Sequence, residues 1–212
     1  GYELKAFALR YTDLAEVLLL DADNVVTGDP TYLFDTPEYR QYGAVLWTDL
    51  PPATRPEWIT EMAWRVGGLP NLPHVAAVES GQLLVNRRRC GRQLAIAVHM
   101  NKWSEFWYQH VFGDKDTFPI AWMTDAYFDR EMQTHPNHVK LIPYCAPGSP
   151  RYVTPVIHQP GLRGELLFQH CVGGKPELIS GALAPSFARA NAVRAAAGEL
   201  ARLWSGQIWP AR

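Results

Sequence analysis

An α/β fold is predicted by three observations. Strand-like apolar runs alternate with helix-period segments along the chain. One of those runs, Glu16 to Leu20, ends directly in the polar stretch Asp21-Ala22-Asp23-Asn24, and the other residues suited to chemistry also fall at strand ends. In an open α/β sheet the carboxyl ends of strands are where ligands bind. The 212 residues favour a single domain, 1–212, since a chain of this size sustains a core without disulfide or metal staples.

The elements follow in order. Residues 2–11 are predicted as a helix, with Leu4, Phe7, Ala8 and Tyr11 on the apolar face and Lys5 and Arg10 off it. Residues 16–20 are nearly all apolar, the pattern of a strand buried on both faces. A turn at Gly28-Asp29-Pro30 leads to one or two short helical turns within 30–39. Residues 43–47 are the next strand, and Pro51 through Pro56 is loop. A short helix over 58–64 is ended by Gly67-Gly68. Residues 75–85 are a strand pair or a bent strand with Gly81 at the bend. Residues 87–111 are expected to form the longest mid-chain helix, interrupted by 113–118, with another helix over 119–128. Five prolines between 143 and 160 leave that stretch irregular or an edge strand. A last short strand spans 166–170, Gly173-Gly174-Lys175-Pro176 is a loop, and an Ala/Arg-rich helix over 185–204 closes the chain.

Composition excludes several classes of function. Twenty Lys and Arg against 21 Asp and Glu leave a net charge of −1, which argues against a nucleic-acid partner bound by bulk charge. The longest apolar runs fall far short of the roughly 20 residues a membrane helix needs, so no span is expected within these residues. Three scattered cysteines, Cys90, Cys145 and Cys171, make no disulfide framework and mildly favour a reducing compartment. Eight tryptophans either fill a core or line a surface for flat, sugar-like ligands; core burial is the commoner role.

Two places stand out chemically. In an extended segment residues two apart point the same way, so the carboxylates of Asp21 and Asp23 can converge on a hard divalent cation. The pattern alone is weak, since Asp114-Lys115-Asp116 repeats it and by itself suggests a helix cap; position after a strand is what raises the first. His170 ends its own strand ahead of Gly173, Gly174 and Lys175, where glycines let the backbone approach a phosphate and the lysine offers a point charge. Two carboxylates and an imidazole suit manganese or magnesium. The run Arg87-Arg88-Arg89 with Arg92 is the solvated start of a helix or an anionic acceptor patch. His135 and His138 sit in a loop without acidic or thiol partners.

Taken in order, Lys5-Ala6-Phe7-Ala8-Leu9, Glu16 through Asn24, Glu79-Ser80-Gly81-Gln82-Leu83-Leu84-Val85 and Gly113-Asp114-Lys115-Asp116-Thr117-Phe118 resemble the alpha-mannosyltransferase family best known from fungal alpha-1,3-mannosyltransferases. Phe168-Gln169-His170 through Lys175-Pro176 is also similar to the His-x-x-Gly-x-x-Lys-Pro signature of glycogenin-like retaining glycosyltransferases, one residue shorter between Gly173 and Lys175.

The resemblance implies a GT-A-like nucleotide-diphospho-sugar transferase fold, a mixed sheet flanked by helices, entered late because the family's N-terminal strand and helix are not in this sequence. It implies a metal-dependent retaining glycosyltransferase with Mn2+ or Mg2+, taking a nucleotide-sugar donor, GDP-mannose or a UDP-sugar, and a glycan or other hydroxyl acceptor. By residue, it implies Asp21, Asp23 and His170 at the metal, with Asp21 also within reach of the ribose, and Gly173 and Lys175 at the diphosphate. It places Lys5, Ser80 and Gly81 along the donor, and Asp114 and Glu79 as the carboxylates beside the reacting sugar. The family's fungal members are anchored in the secretory pathway, which implies a Golgi lumen location, whereas the Ala/Arg-rich C-terminus suits a bacterial cytoplasm. Two other functions fit the residues taken without the resemblance: a nucleotidyltransferase with an Asp-metal site, and a non-catalytic carbohydrate-binding module using Trp47, Trp58, Trp103 and Trp107.

Overall fold

The computed structural model describes residues 2–49, 59–68, 77–128, 140–142 and 156–171. They fall into two compact units, Gly1–Leu20 with Leu33–Tyr144, and Asp21–Tyr32 with Cys145–Arg212. Both contain sheet, and helices accompany the first, as an α/β chain requires.

The first unit is built on a four-stranded sheet of order β1-β4-β3-β5. Strands β1 (Glu16–Leu20), β3 (Ala44–Thr48) and β4 (Val78–Asn86) are antiparallel neighbours, and β5 (Lys140–Ile142) runs parallel to β3. The expectation for β1 is corrected. Among the described residues it stands at the edge of the sheet and is exposed or half-buried, whereas β3 and β4 are buried along all but their last residues. An apolar run marks a strand but does not say which place in the sheet it takes.

Helix α1 (Leu4–Tyr11) is also turned from its expected orientation. Ala6 and Leu9 are buried, while Leu4, Ala8 and Tyr11 face outward and Phe7 is half-buried. The small Ala6 side chain suits the close approach of α1 to α4 (Gly91–Lys102), and the larger apolar groups are left outside. Helix α2 (Pro37–Tyr42) starts and stops on local signals. The Thr36 hydroxyl accepts the Tyr39 N–H, Pro37 opens the first turn, and Gly43 closes the helix at φ 73°. Helix α3 (Glu61–Val66) begins later than predicted because Thr60 is its cap, accepting the Ala63 N–H.

The predicted helix over 87–111 divides. Asn86 accepts the Arg89 N–H in the turn ahead of α4, and Trp103, with φ −105° and ψ 39°, separates α4 from the short α5 (Ser104–Trp107). Conversely, residues 113–118 do not interrupt a helix but begin one. Helix α6 (Gly113–Phe128) contains Pro119 within it, whose ring removes a main-chain donor but permits the turn that precedes it. The core is packed from α1, α4 and α6 against the sheet, with Leu9, Leu46, Leu83, Leu94, Phe118 and Trp122 buried together. Trp64 and Trp107 bury in a second cluster with Ile59, Met100 and Ile120. Cys90 is buried and free, and burial pushes its thiol up to about 12, too high to react as thiolate.

The second unit holds a three-stranded antiparallel sheet of order β2-β7-β6, from β2 (Asn24–Val26), β6 (Val156–Pro160) and β7 (Leu166–Cys171). Strand β2 is not predicted by the sequence, because three residues are too few for periodicity to mark. Strand β6 is the edge strand that the prolines allow, and Pro160 stands at its irregular end. The β6–β7 turn is fastened by the Gly161 N–H donating to the Glu165 carbonyl at 2.8 Å. Tyr32 ties into the same turn: its hydroxyl bonds the Glu165 carboxylate and accepts the Leu162 N–H, while the Arg163 guanidinium lies 3.9 Å from its ring centre. The predicted helix over 185–204 lies outside the described residues.

Candidate functional site

Sheet pairing in the second unit assembles a set of side chains that could hold a metal ion. Strand β2 pairs with β7 so that Asn24 lies opposite His170, which places the end of β7 beside the turn that feeds β2. That turn is Asp21-Ala22-Asp23, closed by the Asn24 N–H donating to the Asp21 carbonyl at 2.9 Å. The two carboxylates therefore converge through a turn, where the sequence suggests an extended segment. His170 Nε2 lies 3.2 Å from Asp23 Oδ1 and 3.6 Å from Asp21 Oδ2. One ligand atom from each of the three residues falls within 4.8 Å of the others, and His170 is buried.

These spacings fit a cation. Neighbouring ligands on a small octahedral ion stand about 3 Å apart when metal–oxygen distances are near 2.1 Å. Two hard carboxylates and one imidazole are a donor set for manganese or magnesium, and three protein ligands leave positions for oxygens of a phosphate. Gly173 and Lys175 lie outside the described residues, as do His135 and His138.

The first unit holds a separate polar cluster at the bend of β4. Between Leu46, paired with Leu83, and Trp47, paired with Glu79, the β3–β4 register slips, so Ser80-Gly81-Gln82 bulges out of that ladder. The bend that Gly81 predicts is there, in one continuous strand. Glu79 turns its carboxylate back to accept the Gly81 N–H at 2.8 Å. Ser80 is left facing Lys5 and Asp114. Lys5 Nζ donates to Ser80 Oγ at 3.0 Å and to the Ser80 carbonyl at 3.2 Å, and lies 3.5 Å from Asp114 Oδ2. Ser80 Oγ donates to the same carboxylate oxygen at 3.3 Å. Three of the residues picked from the sequence, Lys5, Ser80 and Asp114, thus meet across α1, β4 and α6, while the Glu79 carboxylate is turned to the Gly81 N–H.

The pair Asp114 and Asp116 divides its duties. Asp116, inside the first turns of α6, reaches back to accept the Phe112 N–H at 2.8 Å just ahead of the helix, whereas Asp114 joins Lys5 and Ser80. Lys115 pairs with Asp49 and lies over the Phe112 ring, neither of which the sequence suggests. Burial is the main cause that raises the Asp116 carboxyl above its ordinary value, and the Phe112 bond and Lys115 oppose it. A raised folded-state value costs stability where the group must ionise. The Asp116→Asn variant, which keeps an acceptor for Phe112, is expected to melt a few degrees higher than wild type at pH 7. The gain shrinks as pH falls through the folded value and vanishes below the ordinary 3.8. Melting curves across pH check it; a variant less stable at pH 7 contradicts the sign.

The arginine run is structural where its contacts are visible. Arg87 Nε donates to the Leu14 carbonyl at 3.0 Å, Arg89 clamps the Arg40 and Gln41 carbonyls at 2.5 and 2.7 Å, and Arg92 pairs with Asp125 at 2.9 Å. Among the described tryptophans, Trp47, Trp64, Trp107 and Trp122 are buried and Trp103 is 57% exposed. Trp47 and Trp107 therefore belong to the core and not to a sugar-binding surface, and Trp58 lies outside the described residues.

A family model described as "Mannosyltransferase putative" matches residues 1–66 and 69–147. That match takes in Lys5, Asp21, Asp23, Glu79, Ser80 and Asp114 and stops before His170. Alpha-1,2-mannosyltransferase MNN22 of Candida albicans is 30% identical over 163 residues, covering 57% of this chain and 27% of the relative. Alpha-1,2-mannosyltransferase MNN23 of the same yeast is 27% identical over 163 residues, with the same coverage. The chain thus spans about a quarter of the length of these curated relatives. Among solved structures, the glycosyltransferase GlyE of Streptococcus pneumoniae TIGR4 is 19% identical with a TM-score of 0.37, over 67% of this chain and 27% of that one.

Proposed function

This chain belongs to the mannosyltransferase family whose model it matches, and from that premise we propose that it transfers mannose, with retention, from a nucleotide-diphospho-mannose to the hydroxyl of a glycan or similar acceptor. The single observation that carries the proposal is the convergence of Asp21, Asp23 and His170 within 4.8 Å of one another. In this proposal the three hold a divalent cation, manganese or magnesium, and GDP-mannose is the donor, with UDP-sugars as the alternatives to be tested against it. When bound, such a cation offsets the negative charge that develops on a leaving diphosphate.

The chain's own residues supply the rest. Asp114 is the carboxylate assigned to the sugar side, where positive charge grows at the anomeric carbon during glycosyl transfer. Lys5 and Ser80 hold that carboxylate in place, the ammonium 3.5 Å from Oδ2 and the hydroxyl donating to the same oxygen. Glu79, committed to the Gly81 N–H, sets the bulge that presents Ser80. Lys175 is assigned to the diphosphate by its match to the glycogenin-like signature.

The test uses the full-length protein with GDP-mannose and an oligomannoside acceptor. Manganese is expected to raise the unfolding free energy by about 2.7 kcal/mol at 100 times its dissociation constant. Turnover is expected to release a nucleoside diphosphate and to stop with a chelator. Release of pyrophosphate instead would identify a nucleotidyltransferase. Sugar binding that ignores both chelator and nucleotide would identify a binding module.

A further inference from the structure

We propose that Tyr108, Asn101 and Thr117 form a hydrogen-bonded relay that positions Asp114, and that they are positioning residues for transfer although none belongs to the polar cluster itself. The inference rests on the assignment of Asp114 to the reacting sugar. The Tyr108 hydroxyl donates to Asn101 Oδ1 at 2.6 Å. Asn101 Nδ2 donates to the Ala97 carbonyl and to Thr117 Oγ1, each at 2.8 Å. Thr117 Oγ1 in turn donates to the Asp114 carbonyl at 2.6 Å.

The direction of every bond follows from chemistry. A carbonyl can only accept, so the Ala97 contact fixes which end of the Asn101 amide is the nitrogen, and its oxygen must face Tyr108. Thr117 has one proton; having accepted from Asn101, it gives that proton to Asp114. Asn101 and Thr117 are completely or almost completely buried, at 1% and 0% exposure, so each unmade bond would leave a buried polar atom without water to replace the partner. A buried network that is satisfied in this way selects one arrangement.

The start of α6 needs such an anchor. Gly113 opens the helix at φ 65°, and Pro119 lacks the N–H that would bond the Lys115 carbonyl one turn back. The first turn, which carries Asp114, therefore begins from a left-handed residue and loses one rung of its ladder. Thr117 grips that turn from the main-chain side while Ser80 and Lys5 grip Asp114 by its carboxylate. Two attachments on opposite ends of one residue fix both its position and its aim. Burial is the main cause that raises the Tyr108 hydroxyl above its ordinary value, and the Asp114 and Glu3 charges add to it.

The experiment measures steady-state transfer from GDP-mannose with manganese in the full-length protein for Thr117→Val, Thr117→Ser and Tyr108→Phe. Thr117→Val is expected to lower kcat about tenfold with donor KM and manganese dependence within about twofold of wild type, because a displaced reacting group costs rate more than binding. Thr117→Ser, which keeps the hydroxyl, is expected to restore kcat. Tyr108→Phe removes one oxygen from a half-buried residue without opening a core cavity, and is expected to lower kcat in the same way, so the relay stays testable if Thr117→Val misfolds. Wild-type kcat in both Thr117→Val and Tyr108→Phe, or a loss that Thr117→Ser fails to restore, overturns the relay alone. A wild-type protein that turns over no nucleotide-sugar overturns the donor-site assignment and the relay with it.

Discussion

Asp23→Ala is expected to lose mannosyl transfer by at least about 100-fold and to lose the manganese-induced rise in melting temperature, while the metal-free protein stays folded. Disturbing groups that merely orient metal ligands typically costs 10- to about 100-fold, so removing a ligand belongs at or beyond that upper bound. In the proposed centre Asp23 is one of three candidate ligands, and its oxygen is the nearer of the two carboxylates to His170 Nε2, at 3.2 Å against 3.6 Å for Asp21. The fold around it does not depend on the side chain. Strand β2 is held to β7 through the main chain of Asn24, Val25 and Val26, and the preceding turn closes through the Asp21 carbonyl. Without a cation, two carboxylates so close also repel each other, so replacing one relieves a like-charge contact. Parallel thermal shifts with and without manganese, beside transfer rates, check both halves. A variant that keeps the metal-induced shift and its turnover overturns the assignment of this centre.

The same three residues show how far the sequence carries. The strand over 16–20, the carboxylate pair after it and the strand ending at His170 are all readable from apolar runs and polar ends. Their convergence is not, because it depends on β2, three residues whose pairing with β7 spans more than 140 positions in sequence. Local periodicity holds no information at that separation. The bend at Gly81 is readable, since a glycine inside an apolar strand has few other uses. The outward turn of Leu4 and Tyr11 is not, because a helix face is chosen by what packs against it, and Ala6 suits a close neighbour better than tyrosine does. Lys5 misleads for a related reason. Its charge marks it as a solvent-facing residue, yet its ammonium turns to Ser80 and Asp114. Asn101 leaves a fainter trace: it falls on the face of α4 that buries Leu94 and Ala97, and a polar residue at such a position asks for partners.

Asp114→Asn is expected to lower kcat by about 10²- to 10³-fold, the scale of removing one preorganised electrostatic partner from a transition state, with the manganese-induced thermal shift unchanged. The substitution keeps the size of the side chain and one acceptor oxygen, so it removes charge and little else. Ser80 Oγ can still donate to the amide oxygen, but Lys5 loses its anion and would face an amide dipole in place of a carboxylate. Lys5 keeps its bonds to the Ser80 oxygens, but the carboxylate charge beside it is gone, and losing that pairing costs stability. Lys5→Met in the Asp114→Asn background separates the two effects. If Lys5 serves only to hold Asp114, the double variant is no slower than Asp114→Asn alone. If the two losses multiply, Lys5 acts on the substrate in its own right. Rates and melting temperatures for the two single variants and the double close this cycle, and an Asp114→Asn enzyme with wild-type kcat removes Asp114 from the chemistry.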